Sequence, residues 1–198
     1  MGWGSRTSTS TYMYNHIGHF GAAGEALCKA LFFGGVTHRF PTLKFAFLEG
    51  GPSWGADLYA ALLARWNKRN PEALENYNPA NLNVEQLLDL CYRYGGRVTE
   101  GKLDLLANAS GATINTKAAP EQKNDFWRCH ITKDEDIRDL FVPHFYFGCE
   151  ADDPMNATAF NTMANPFRAK LGAIYSSDIG HWDVPDMTKV TEEAYELV

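Results

Sequence analysis

The segment YSSDIGHWD, residues 175–183, places two aspartates and a histidine at the end of the short apolar run LGAIY. A carboxylate such as Asp178, at the end of an apolar strand, can bind a divalent metal ion or accept a proton from an activated water. Aspartate is equally common in turns and caps, so the residue types alone leave both interpretations open. His181 is a candidate to orient a substrate or to support a metal ligand. For Asp183 a role in a surface loop is favoured.

Further candidates are Glu49 and the pair His16 and His19. Glu49 closes the apolar run KFAFLE and precedes two glycines, which let a ligand come close to the backbone. It is either a metal ligand, a general base, or the anchor of a loop through backbone N–H groups. His16 and His19 are three residues apart, a spacing that suits a metal pair, a substrate-lining loop or a purely structural loop.

The remaining histidines, His38, His130 and His144, have no candidate partner nearby in the sequence and are interpreted as structural. The chain contains no H-x-H, no P-loop and no G-x-G-x-x-G. It therefore lacks the local signatures of the common two-histidine metal sites, P-loop sites and dinucleotide sites.

Hydrophobic periodicity predicts an α/β chain in which short strands alternate with helices. The strands are expected at 44–49, 144–150 and 172–177. Such alternation is typical of βαβ units with a parallel sheet, whose ligands gather beyond the carboxyl ends of the strands. Thr132 and Glu135 have capping-box spacing for one of the helices. The longer helices are expected at 20–33, 54–70, 83–96, 133–141 and 185–198.

Composition restricts the classes of partner and compartment. The chain has 198 residues and a net charge of −6, with no cluster of Lys or Arg, which argues against nucleic acid and anionic membranes as partners. No apolar run is long enough to span a membrane, and the first residues lack a secretory signal. Four widely spaced cysteines indicate reduced thiols and a cytoplasmic location. One domain is expected over 1–198, with a loose lead-in at 1–15 and an irregular insertion at 97–128.

Three segments resemble a known family. They are GGVTHRFPTLKFAFLEGG, HFYFGCEADDP and YSSDIGHWDVPDM. These runs look like the C-terminal half of amidohydrolase-related enzymes, the branch of the metal-dependent amidohydrolase superfamily that is similar to aminocarboxymuconate-semialdehyde decarboxylase. The resemblance covers roughly residues 12–198.

The resemblance implies a partial (β/α)₈ TIM barrel, consisting of its last three or four βα units. It also implies a single divalent metal ion, zinc with manganese as the alternative, at the carboxyl ends of the strands. Asp178 matches the aspartate that ends the eighth strand, so it is implied to be a metal ligand and the catalytic proton acceptor. Glu49 stands where a histidine is usual and is implied to be a second, carboxylate ligand. The H-x-H of the first strand is absent.

The activity implied is that of a metal-dependent hydrolase or decarboxylase acting on a small carboxylate-bearing or cyclic organic molecule. His16, His19, Trp54 and His181 would line the substrate mouth. Because half of the barrel is missing, the chain is expected to be a fragment that is inactive by itself. The alternative is a non-catalytic α/β domain that binds a partner or forms a homo-oligomer through its unpaired strand edges.

Overall fold

The computed structural model describes residues 12–75, 78, 81–106, 124–150 and 153–195. The chain divides into two compact units. The first combines Met1–Asn67 with Phe126–Val198, and the second is Lys68–Asp125. The expectation of one domain over the whole chain stays a prediction.

The described residues form three strands, a series of α-helices and short 3₁₀ turns. The strands are β1 Phe45–Phe47, β2 Phe145–Glu150 and β3 Gly172–Ser176. The helices of the first half of the chain are α1 Tyr12–His16, α2 His19–Phe33, α3 Val36–Arg39, α4 Ser53–Arg69, α5 Pro71–Glu75 and α6 Val84–Tyr94. Those of the second half are α7 Asp125–Arg128, α8 Asp134–Phe141, α9 Ala157–Phe160 and α10 Val190–Tyr195.

The three strands form one parallel sheet in the order β1-β2-β3. Phe47 pairs with Phe147, and Phe147 pairs with Ala173 on the other side. Short aromatic runs suit this arrangement, because strands of parallel sheets are covered on both faces. The sequence therefore predicted the α/β class, the three strands and their parallel direction correctly.

The predicted partial TIM barrel is wrong. In the described part of the chain β1 and β3 are the edges of a three-stranded open sheet, and most of the remaining structure is helical. A barrel closes only when enough strands, each tilted and staggered, bring the two edges together. The pattern of an apolar run followed by polar residues is common to every parallel α/β sheet, so it did not separate an open sheet from a barrel.

Aromatic side chains dominate the core of the first unit. One face of α4 is apolar and buried, and it includes Leu58, Leu62, Leu63 and Trp66. Phe141 of α8 is fully buried and packs against the rings of Tyr59 and Phe145, with centroids 5.3 and 5.0 Å away. This contact joins two helices to the central strand of the sheet.

His144 is buried directly before β2 and has a structural role, as predicted. Its Nδ1 lies 2.9 Å from the carbonyl oxygen of Leu43. Lys44, the residue after Leu43, donates a hydrogen bond from Nζ to the carbonyl oxygen of Pro143. These two hydrogen bonds connect the segment before β1 to the segment before β2. Each also satisfies a polar group close to the sheet.

The first turn of α8 is held by Asp136, and not by Glu135, the residue that the capping-box spacing indicated. Asp136 Oδ2 accepts hydrogen bonds from Thr132 N at 2.8 Å, Thr132 Oγ1 at 2.9 Å and Lys133 N at 3.2 Å. Desolvation works to raise the pKa of this carboxyl, but the hydrogen bonds from Thr132 and Lys133 outweigh it and hold the pKa below its ordinary value. The charged form of Asp136 is therefore favoured in the folded state.

Replacing Asp136 with alanine should lower the free energy of unfolding by about 1 kcal/mol near neutral pH, the usual cost of losing a helix cap. Because the pKa is lower in the folded chain than in the unfolded chain, this contribution is complete above the unfolded value of about 4. It is lost as the pH falls through the folded value. Urea unfolding of both proteins from pH 3 to 7 measures the difference.

The matched control for this prediction is Asp139→Ala, which removes an exposed carboxylate from the same helix. Asp139 pairs with the neighbouring Arg138, at 2.7 Å, and such surface pairs stabilise proteins little. A gap between wild type and Asp136→Ala that stays constant down to pH 3 would contradict the proposed capping role.

The second unit contains α5, α6 and a 3₁₀ turn at Gly96–Val98. Asn83 caps α6, since its side chain accepts a hydrogen bond from Gln86 N at 3.0 Å. Of the predicted insertion at 97–128, residues 107–123 lie outside the described residues, and 103–106 form a helical turn. Of the predicted lead-in at 1–15, residues 1–11 lie outside the described residues and α1 begins at Tyr12.

Within the described ranges, no helix combines the length and the apolar character needed to cross a membrane. The thiols of Cys28, Cys91 and Cys129 are free of disulfide bonds.

Candidate metal centre

The segment that follows β3 forms a tight turn that brings its polar side chains together. Asp178 adopts a left-handed backbone conformation with φ of +50°, which Asp tolerates better than most residues. The His181 N–H donates to the carbonyl oxygen of Asp178 at 3.1 Å, and Gly180 has φ of +106°. This turn returns the chain on itself immediately beyond the carboxyl end of the sheet.

The turn creates a cluster of three potential metal ligands, which we call the Asp178 cluster: Asp178, His181 and Asp183. One ligand atom from each residue lies within 4.8 Å of the others. His181 Nδ1 and Asp178 Oδ2 are 2.9 Å apart. The side chain of Asp178 is only 20% exposed, whereas that of His181 is 57% exposed. The cluster therefore has a half-buried carboxylate at its base and an open, solvent-facing side.

The chemistry of this donor set fits a divalent cation. Two carboxylates and an imidazole are ligands that zinc accepts, and carboxylate oxygens also suit manganese. Three protein ligands with an open side are typical of catalytic zinc sites, in which the remaining position holds water or substrate. The side chains of the cluster are supplied by one turn, so a metal ion would link residues that are already close.

The structure brings together two of the residues that the sequence indicated, Asp178 and His181. It adds Asp183, for which the sequence favoured a surface loop. Asp183 is exposed, as a loop residue would be, but its carboxylate belongs to the cluster. The signal available in the sequence was the spacing 178, 181 and 183, which becomes a cluster only when the chain turns at Gly180.

Glu49 is not part of the Asp178 cluster. It lies two residues after the end of β1 and is exposed, with φ of +60°. Because β2 lies between β1 and β3, the two edge strands are separated by two interstrand spacings, about 10 Å in total. The role of Glu49 as a metal ligand stays a prediction.

Of the other residues expected at the substrate mouth, Trp54 lies near the carboxyl end of β1, against Phe47. A Cβ on Gly50 would be 3.2 Å from Gly21 N and 2.9 Å from Trp54 Nε1, so the starts of α2 and α4 meet beside Gly50. His19, the first residue of α2, is two positions before Gly21, and its ring lies 5.6 Å from that of Phe20.

Trp54 is mainly a packing residue. Its ring makes edge contacts with Phe47 and Phe147, with centroids 5.3 and 5.0 Å away. Its Nε1 is buried and has no hydrogen-bond acceptor among the described residues. His16 ends α1 and contacts the edge of the Phe20 ring at 6.1 Å. The structure thus places Trp54 against β1 and β2, whereas the Asp178 cluster follows β3.

Comparison with protein-family models, curated proteins and solved structures found no match for this chain. The resemblance to amidohydrolase-related enzymes therefore stays a hypothesis, and the candidate site is argued from its own residues.

Proposed function

We propose that this chain is a metal-dependent hydrolase or decarboxylase whose divalent ion is bound by Asp178, His181 and Asp183. The substrate class is a small carboxylate-bearing or cyclic organic molecule, and zinc or manganese is the ion. The observation that carries the proposal is the Asp178 cluster, whose three ligand atoms lie within 4.8 Å of one another just beyond the end of β3. The proposal keeps the reaction class that the resemblance implied but does not need a barrel, so the expectation of inactivity, which rested on a half-barrel, is not kept. A cytoplasmic location, as the cysteines predicted, belongs to the same proposal.

Each residue of the cluster has a distinct task in this proposal. A bound divalent ion would supply Lewis acidity, which favours deprotonation of water and polarises a carboxylate or carbonyl oxygen. Asp178 would be the half-buried ligand and the acceptor of the water's proton, and its Oδ2 lies 2.9 Å from His181 Nδ1, so the two side chains hold each other in place. Asp183 adds negative charge on the exposed side, which raises the affinity for a cation.

Two apolar side chains beside the cluster suit an organic substrate. Ile179 and Trp182 lie between the proposed ligands in the sequence and are 58% and 82% exposed. Small-molecule sites combine apolar side chains with a few polar groups, and here both kinds occur in one turn. A molecule with a carboxylate and a ring would satisfy both parts of this surface.

The test is binding of Zn²⁺ and Mn²⁺ to metal-free protein, measured by isothermal titration calorimetry and by thermal unfolding. An ion present at a hundredfold excess over its Kd should stabilise the protein by about 2.7 kcal/mol, which raises Tm by roughly 5–10 °C. Metal-loaded protein is then assayed for CO₂ release from aryl carboxylates and for hydrolysis of small cyclic amides. Failure to take up either metal would overturn the proposal.

Asp178→Asn should weaken metal binding by about tenfold or more, since losing even an indirect metal partner has an effect of this size. Asn tolerates the left-handed conformation of residue 178, so the turn should persist. The matched control is Asp186→Asn, which removes a carboxylate from the same segment. Asp186 accepts hydrogen bonds from Thr188 and lies outside the cluster, so its replacement should leave the metal affinity unchanged. Equal loss in both variants would indicate a general charge effect.

The alternative function is a non-catalytic α/β domain that associates with itself or a partner. It is favoured by the open edges of the sheet, because in the described part of the chain neither β1 nor β3 pairs with a further strand. Unpaired strand edges are templates for association. Sedimentation velocity separates the two proposals: self-association with no metal uptake supports the alternative, and metal uptake by a monomer contradicts it.

A further inference from the structure

A second group of chemically active side chains lies where α3 approaches α7. We call it the aromatic–cationic patch, and it consists of His38, Arg39, Trp127, Arg128 and His130. The rings of His38 and His130 are stacked, with centroids 4.2 Å apart and planes inclined by 15°. Trp127 continues the stack on His130, at 6.4 Å and 23°. None of these residues belongs to the Asp178 cluster.

The patch depends on a close approach of two segments that are distant in the sequence. Gly35 has φ of +69°, and a Cβ at this position would lie 2.5 Å from the carbonyl oxygen of Arg128. Only glycine allows this approach, so the turn before α3 can rest directly on the end of α7. His130 also adopts a left-handed conformation, with φ of +57°, and its N–H donates to the carbonyl oxygen of Trp127 at 3.1 Å.

The patch is positively charged in a chain of net charge −6. Neither 34–44 nor 126–133 contains an Asp or Glu, whereas together they contribute two arginines and two lysines. Among the described residues, Arg39 and Arg128 form no ion pair with an acidic side chain. Arg39 instead donates to the carbonyl oxygen of Gly34 at 2.6 Å. The remaining N–H groups of Arg39 and the guanidinium group of Arg128 are therefore available to an anion from outside the chain.

The aromatic part of the patch is accessible as well. Trp127 is 53% exposed even though His130 lies over one side of it. An exposed indole offers a flat surface on which a planar ring can stack, and nucleobases stack on such side chains without sequence preference. Guanidinium groups bind phosphate with paired, charge-assisted hydrogen bonds.

We propose that the aromatic–cationic patch binds a small aromatic anion in which a planar ring is joined to a phosphate, the chemistry of a nucleoside monophosphate. The ring stacks on Trp127, and the phosphate lies between Arg39 and Arg128. This inference does not depend on the proposed metal centre, because no residue is shared between the two sites.

The test compares three probes on the full chain in the presence of EDTA: adenosine monophosphate, adenosine and inorganic phosphate. Isothermal titration calorimetry gives the affinities. The monophosphate should bind about tenfold or more tightly than either half alone, because ring stacking and charge act together. Equal affinity for phosphate and the monophosphate would overturn the proposal, as would equal affinity for adenosine. A single-stranded oligonucleotide that binds far more tightly than the monophosphate would also overturn it, in favour of a nucleic-acid surface.

Variants assign the binding to the patch. Trp127→Ala and Arg128→Gln should each weaken binding of the monophosphate by about tenfold. Trp127→Phe keeps a ring and should lose only a small part of the affinity. It also tests the stack in a variant that preserves the packing of the turn. Arg93→Gln removes an exposed arginine that pairs with Asp89 in the second unit, and it should bind like the wild type. Affinity that is unchanged in Trp127→Ala and Arg128→Gln would place the ligand elsewhere.

Discussion

Replacing Phe141 with alanine is expected to lower the free energy of unfolding by about 3–5 kcal/mol, the range for removing a fully buried phenylalanine. The ring of Phe141 is 0% exposed and lies within 6.3 Å, centroid to centroid, of four other core rings. These rings belong to α2, α4 and β2, so the substitution leaves a cavity where α2, α4 and α8 pack against the central strand. Urea unfolding followed by circular dichroism measures the loss.

A matched control is Phe160→Ala, which removes the same group from a position that is 53% exposed. Surface substitutions of this kind usually change stability by about 0.5 kcal/mol or less. Phe141→Leu should fall between the two, since it retains much of the buried volume. A loss in Phe141→Ala no larger than that in Phe160→Ala would contradict the central place of this ring in the core.

Replacing Gly55 with alanine is expected to destabilise the first unit by roughly 3 kcal/mol. A Cβ on Gly55 would lie 2.3 Å from Cε1 and 2.4 Å from Cζ of Phe147. Phe147 is fully buried, with Trp54 packed on it at 5.0 Å, so its ring has no free space into which to move. In a helix interior alanine is favoured over glycine by about 1 kcal/mol. The steric conflict opposes this gain and should exceed it.

The comparison for Gly55→Ala is Ala61→Ser, which adds one heavy atom to an exposed position of the same helix and should be close to neutral. Combining Gly55→Ala with Phe147→Leu tests the cause directly. The smaller side chain relieves the overlap, so the double variant should lose less stability than the sum of the two single losses. Strict additivity would show that α4 and β2 are not in close contact at this point.

Features that depend on neighbouring residues were predictable from the amino-acid order. The strands around Phe45, Phe145 and Gly172 follow from short apolar runs between turn residues, and the stripe of α4 follows from helical periodicity. Asp178 was a candidate because it ends an apolar strand. The cap of α8 shows the limit of this reasoning: the spacing indicated Glu135, but Asp136 accepts the hydrogen bonds from Thr132. Neighbouring carboxylates point in different directions, and the sequence alone does not say which of them faces the cap.

Features that depend on distant segments were not predictable in the same way. Sheet closure depends on how many strands pair and how they tilt, which no single segment encodes, and the expected barrel proved to be an open sheet of three strands. His38 and His130 were interpreted as isolated structural residues, yet they stack at 4.2 Å because Gly35 lets two remote turns meet.

The Asp178 cluster lies between these two cases. Its residue types and the strand before it are local properties, and they were sufficient to nominate Asp178 and His181 for metal chemistry. Whether Asp183 joins them depends on the turn at Gly180, which sets the distances between side chains. Local sequence thus accounts for the elements and the chemical groups of this protein. The folded chain sets which groups meet, because distances across turns and between helices arise from backbone conformation and packing.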